Sequence, residues 1–265
     1  MTPSAPPTGA GPGPTRARTP YAYVLRLADD ALIAAQRMAE WCAGAPQLEE
    51  DVALANIALD LLGQARALLT HAGELEGRGR DEDALAFQRE ESDFGNVQLV
   101  ELPNGDFAYS MAKLLFLAAY QELLYEGLSG SQDPTLAAVA AKAVKESAYH
   151  LDHAATWTER LGDGTEESHR RMRTAVAELW PYTHALFAAD PLSARVAADG
   201  VGVDPAALRP AWLRTVGRVL ERATLAVPDD GWAPAGGREG VHTESFSLLL
   251  MEMQSLHRAH PGVAW

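Results

Sequence analysis

The chain has 265 residues, 47% of them hydrophobic, enough to build a sizeable core. Acidic residues outnumber basic ones 36 to 22, and the resulting formal charge of -14 excludes nucleic acid or an anionic membrane as a general partner. A single cysteine, Cys42, excludes an internal disulfide, and its neighbours Trp41 and Ala43 predict a packed thiol in a reducing compartment.

Residues 1–19 are rich in Pro, Gly, Thr and Ala and predict a disordered tail ahead of one helical domain over residues 20–265. The tail lacks the apolar run of a secretory signal or membrane anchor. Apolar stretches elsewhere are interrupted short of the roughly 18 to 20 residues needed to span a bilayer, so a soluble, cytoplasmic protein is expected. From Tyr21 to Cys42, apolar residues recur at helical spacing (Val24, Leu27, Ala31, Ala34, Ala35, Met38, Trp41), and Gly44 with Pro46 stops the run. A second helix follows Pro46, carries Glu49, Glu50 and Asp51 near its positive N-terminus and reaches about Gly73. It bears two apolar stripes, one through Val52, Ala55, Leu59, Leu62 and Leu69, the other through Leu54, Ala58, Leu61, Ala65 and Leu68. Two stripes predict burial by several neighbours.

A charged connection, Glu74 to Asp93, includes a short helix around Asp83 to Phe87 and leads into an extended segment, Gln98 to Leu102, ending at Pro103-Asn104-Gly105. Here a bundle with a crossover would turn back across itself. Phe107 to Leu128 predicts a strongly apolar third long helix, and Pro134 opens a fourth that reaches Leu161. A fifth helix begins near Thr165 and meets Pro181, which should kink or end it before Ala189. Pro205 to Ala226 makes a sixth, Pro228 to Gly240 is loop, and a last helix runs from about Thr243 to Arg258. No strand series or solenoid period competes with this pattern. The fold class is all-α: a four-helix bundle of the ferritin-like kind with additional C-terminal helices.

Two segments, Ala58-Leu59-Asp60-Leu61-Leu62-Gly63-Gln64-Ala65-Arg66 and Lys145-Glu146-Ser147-Ala148-Tyr149-His150, resemble the metal-binding helices of a di-iron bundle. Such bundles hold two irons with a Glu-x-x-His pair on each of two helices and one carboxylate from each of the others, because i and i+3 share an inward face. Leu61 and Gln64 stand in the first frame, and Ser147 stands in the second, leaving His150 alone. Leu61 has no donor, Gln64 is a weak iron ligand beside imidazole, and Ser147 is poorer still as a bridging carboxylate. Asp29 is the candidate first-helix carboxylate and Lys113 falls near the third-helix position. An inward Lys113 paired with Asp29 would replace the metal's charge. A shifted site drawn from Asp60, Glu122, Glu146, His150 and His153 has donors enough in principle, set against the plainer reading of surface His and Glu.

Several blocks in order carry a wider resemblance: Leu25-Arg26-Leu27-Ala28-Asp29-Asp30, Gln36 to Pro46, Leu59 to Arg66, Lys142 to Glu146, Tyr149-His150-Leu151, Glu252-Met253-Gln254 and His260-Pro261-Gly262. Over Tyr21 to Trp265 the chain resembles the phenylacetyl-CoA ring 1,2-epoxidase family, and within it the non-catalytic, structural C-type component. The resemblance implies a ferritin-like bundle paired with a homologous catalytic A-type component that holds the di-iron centre and the CoA ester. It implies further subunits, including an NADPH-dependent reductase, and a scaffolding role with no cofactor and no catalytic residue in this chain. The other readings are a di-iron oxygenase using the shifted donors and a metal-free helical interaction protein. Trp157, Trp180, Trp212 and Trp232 read as packing residues, Met251 and Met253 as core or interface filler, and Arg170, Arg171 and Arg173 as a solvated basic cluster.

Overall fold

A computed structural model describes residues 14–260 and 263, and every regular element among them is helical. Helix α1 (Pro14–Ala39) begins earlier than its apolar spacing indicates and ends three residues short of Cys42. The tail expected to be disordered over residues 1–19 is thus helical from Pro14, and its residues 1–13 lie outside the described residues. Helix α2 (Leu48–Glu76) opens on three acidic residues and closes at Gly77, whose φ of 67° lets its N–H reach the Gly73 carbonyl at 3.1 Å. Between them Asp51 accepts from the Ala43 and Ala45 N–H groups at 3.0 and 3.4 Å, which holds the turn. Cys42 sits there exposed, not packed.

Helix α3 (Glu82–Phe87) falls on the short helix read from the sequence, but the segment expected to be extended makes one helical turn, α4 (Gln98–Glu101). The turn buries Leu99 and Val100 while Glu101 reaches partners from the C-terminal part of the chain. Helix α5 (Phe107–Leu128) starts on Asp106, which caps the Tyr109 N–H at 2.9 Å, and is buried on every side from Ser110 to Gln121. Helix α6 (Pro134–Gly162) starts on an Asp-Pro pair, where Asp133 caps two N–H groups and Pro134 needs no partner for its nitrogen.

Helix α7 (Glu166–Thr183) absorbs Pro181 in its last turn and tightens into a 3-10 turn over His184–Phe187. Helix α8 (Pro191–Ala198) has no counterpart in the sequence reading, although Asp190-Pro191 is the same start signal as Asp133-Pro134. The signal recurs at Asp204-Pro205, where α9 (Pro205–Arg222) begins, and α10 (Glu244–Ala259) completes the chain.

The antiparallel hairpins α1/α2 and α5/α6 form the bundle, and α7 and α9 cover the far side of α5. There Phe116, Trp180, Trp212 and Phe187 pack ring against ring at centroid distances of 5.2–5.7 Å, and the Trp212 indole donates to the Phe116 carbonyl at 2.9 Å. The C-terminal ends of α6 and α9 approach so closely that a Cβ on Gly162 would overlap the Ala223 carbonyl oxygen. Of the tryptophans read as packing residues, Trp180 and Trp212 are buried and Trp232 is exposed.

Helix α2 departs from its expected surroundings. Leu54, Ala58, Leu61, Ala65 and Leu68 enter the core, but of the other stripe only Leu69 does so fully: Val52 is 55% exposed, Leu59 63% and Leu62 47%. By length and composition alone α2 is apolar enough to cross a membrane, yet its inner face belongs to the bundle core.

The C-terminal segment is fastened to the crossover by His242. Its side chain is buried, with Nδ1 2.7 Å from Glu101 Oε2 and Nε2 3.1 Å from the Phe94 carbonyl. Two acceptors require two N–H donors, which only the imidazolium supplies. Burial opposes that charge, but Glu101 and the Phe94 carbonyl outweigh it and raise the pKa above the ordinary value. A raised histidine pKa contributes stability below the unfolded value of about 6.5, and the contribution is lost as pH rises through the folded value. Thermal melts of wild type and His242→Gln from pH 5.5 to 9 should therefore differ most at the acid end and converge toward the alkaline end. A gap independent of pH would show that His242 is not charged in the fold.

Candidate functional site

The six positions singled out from the sequence all lie inside the bundle: Asp29, Leu61, Gln64, Lys113, Ser147 and His150 are each no more than 3% exposed. Helical spacing turned them inward, and the hairpins α1/α2 and α5/α6 bring their four helices around one interior. What the side chains do there differs from the arrangement expected.

Asp29 does not meet Lys113. Arg89, on the crossover, forms an ion pair with both Asp29 oxygens, and the Gly95 N–H donates to Asp29 Oδ2 at 2.9 Å. The Arg89 guanidinium also lies 3.9 Å from the centre of the Phe94 ring. Next to it, Asp30 takes a two-pronged contact from Arg238 at 2.8 and 3.0 Å and a hydrogen bond from the Val97 N–H at 2.9 Å. Lys113 instead donates to the Leu102 carbonyl at 2.7 Å and to Asn104 Oδ1 at 3.2 Å, closing the loop before α5. Burial, with the nearby Arg37 charge, lowers its pKa to about 7. The Lys113–Asp29 pair is overturned because each charge found a nearer partner in the crossover, whose course helical periodicity does not reveal.

On the α2–α6 seam the side chains pair one by one. Gln64 Nε2 donates to Glu146 Oε2 at 2.9 Å, and Glu146 also holds Lys142 at 2.9 Å. His150 Nε2 lies 3.1 Å from Asp60 Oδ2, and His153 Nε2 lies 3.4 Å from Glu50 Oε2. Burial lowers the pKa of His150, against the pull of Asp60, which keeps the ring neutral with Nε2 donating. His150 Nδ1, Ser147 Oγ and Gln64 Oε1 are buried with no partner in the protein.

A di-iron centre does not fit these residues. It needs carboxylates and imidazoles from four helices. Here Leu61 offers hydrocarbon, Ser147 a hydroxyl, Gln64 an amide tied to Glu146, and both Asp29 oxygens are held by a guanidinium and a backbone N–H. The shifted donors do not converge either: Asp60 with His150 and Glu50 with His153 are separate pairs, and Glu122 stands on α5 with Glu126 as its charged neighbour. Among the described residues, no three of His, Cys, Asp and Glu group as metal ligands. Arg170 and Arg171 are exposed and turn to Glu167 on their own helix, as a solvated cluster does.

Sequence reasoning missed the residues that fasten the interior, Arg89, Arg238 and the Glu101–His242 pair. The available signal was Asp29-Asp30 itself, two adjacent acids inside an apolar helical run.

A family model described as phenylacetic acid catabolic protein matches residues 10–265 of the chain. The chain is also 49% identical, over 244 residues, to the C-type component of the 1,2-phenylacetyl-CoA epoxidase of Escherichia coli (strain K12). That similarity covers 92% of this chain and 98% of the relative.

Removing the charge of Asp29 while leaving its shape isolates what holds Arg89. Asp29→Asn should cost about 3–5 kcal/mol, the usual penalty for stranding a buried charge. Urea unfolding followed by circular dichroism measures it, and a loss under about 1 kcal/mol would mean that Arg89 finds water or another acceptor.

Proposed function

The chain belongs to the phenylacetic acid catabolic protein family, and from that membership we propose that it is the structural C-type component of a phenylacetyl-CoA epoxidase. Its relative's name supplies the complex and the substrate. The observation that supports a structural role is the set of side chains in the interior: Leu61, Gln64 and Ser147 occupy the ligand frames of α2 and α6, Gln64 donates to Glu146, and His150 Nε2 meets Asp60. The di-iron centre and the bound CoA ester then belong to a homologous catalytic subunit, which inserts one oxygen atom of dioxygen across an aromatic C–C bond. Electrons reach it from NADPH through a reductase subunit. This chain stabilises the catalytic subunit and holds it in its active form, in the cytoplasm, as one domain from residue 20 onward.

Elemental analysis of the chain purified alone and after co-expression with the catalytic subunit tests this reading. Less than about a tenth of an iron per chain is expected alone, since no carboxylate and imidazole set groups to bind it among the described residues. Iron should appear in the joint complex. Near two irons per chain in isolation would overturn the structural role.

A further inference from the structure

Helix α10 exposes the apolar residues Leu248, Met251 and Leu256, and the outer face of α2 exposes an apolar strip. From Val52 to Gly63 its outward residues are Val52, Ala55, Asn56, Leu59, Leu62 and Gly63, none of them charged. The one acid in this stretch, Asp60, is turned to His150 of α6. On the α1 side, Leu59 and Leu62 wall a groove of about 270 Å³ with Leu32, Ala35 and Ala39. On the α6 side stands Tyr149, 63% exposed, next to His150. An exposed apolar strip with an aromatic at its edge is the composition of an interface core.

The charges beside the strip distinguish one occupant from another. The chain has three lysines, and two of them, Lys142 and Lys145, lie on the outer face of α6. Lys142 holds Glu146, while Lys145, exposed, has no carboxylate partner among the described residues. In a chain of net charge -14, Lys145 thus sets an unpaired positive charge beside this apolar strip. Two copies of such a chain repel each other overall, whereas a partner helix with an apolar stripe and a carboxylate edge is matched on both counts. The size is sufficient: two 29-residue helices side by side present on the order of 40 by 20 Å, or about 800 Å², what each partner buries in a standard interface.

We infer that the face formed by α2 and the adjoining edge of α6 docks an amphipathic helix of the related bundle subunit, with Leu59 and Leu62 as its apolar anchors and Lys145 facing a partner carboxylate. This rests on the subunit role proposed above and places the contact on the chain.

The test is the affinity of the purified full-length chain for the co-purified catalytic subunit, measured by calorimetry and sedimentation. Leu59→Glu with Leu62→Glu should weaken binding by about 100-fold or more, as charges placed in an interface core do. Lys145→Glu should weaken it by about 5- to 10-fold, with a smaller effect at high salt. Leu248→Glu, on the exposed face of α10, should leave it unchanged. All four positions are exposed, so far-UV spectra should match wild type. If the double variant misfolds, the Lys145→Glu measurement carries the decision. If wild type binds tightly and the α2 and Lys145 variants bind equally well, the docking face is refuted and the subunit role stands. If wild type does not bind the related subunit at all, the subunit role falls and the docking face with it. Loss of a homodimer, with the mixed complex intact, would assign the face to a second copy and overturn the inference.

Discussion

Two adjacent carboxylates, Asp29 and Asp30, are buried in the middle of α1, and most of the tertiary arrangement answers to them. Neighbouring residues on a helix point about 100° apart, so one cation cannot serve both. Each draws an arginine from a different part of the chain: Arg89 from the crossover and Arg238 from the segment before α10. Water is excluded, so the pairs must form for the helices to pack. Backbone N–H groups of Gly95 and Val97 complete the acceptors, and the course of the crossover follows from that. Glu101 repeats the device one turn later, accepting from Asn96, His242 and the Thr243 N–H.

This explains how a bundle can keep the outline of a metal-holding fold with other chemistry inside. In a di-iron bundle the ion gathers acidic side chains from four helices. In this chain Asp29 is gathered by a guanidinium instead, and Leu61 fills its part of the interior with hydrocarbon. The polar remnants on the α2–α6 seam are joined in pairs, Gln64 to Glu146 and Asp60 to His150. In this chain ion pairs and hydrogen bonds hold these side chains in place.

The long helices were readable because their signals are local. Apolar periodicity, with Pro134 and Pro205 as starts, placed α5, α6 and α9 within a few residues. The inward frame of Leu61, Gln64, Ser147 and His150 followed from the same periodicity, and all four are buried. Where the reading failed, the deciding contact was distant. Lys113 met a loop carbonyl instead of Asp29, Gln98 to Glu101 coiled because Glu101 serves His242, and the outer stripe of α2 stayed open because no element among the described residues crosses it. Hydrophobic pattern records that a face prefers burial, and it does not record whether the same chain supplies the cover.

The separation between Asp30 and Arg238 is 208 residues. When the ribosome has completed the four bundle helices, Asp30 still lacks its counter-charge, and Glu101 still lacks His242. The hairpins can form as they emerge, and Asp29 meets Arg89 early, but Asp30 stays uncompensated until Arg238 has been made. Arg238 and His242 therefore act as a late latch, closing over Asp30 and Glu101 only after the hairpins have been made.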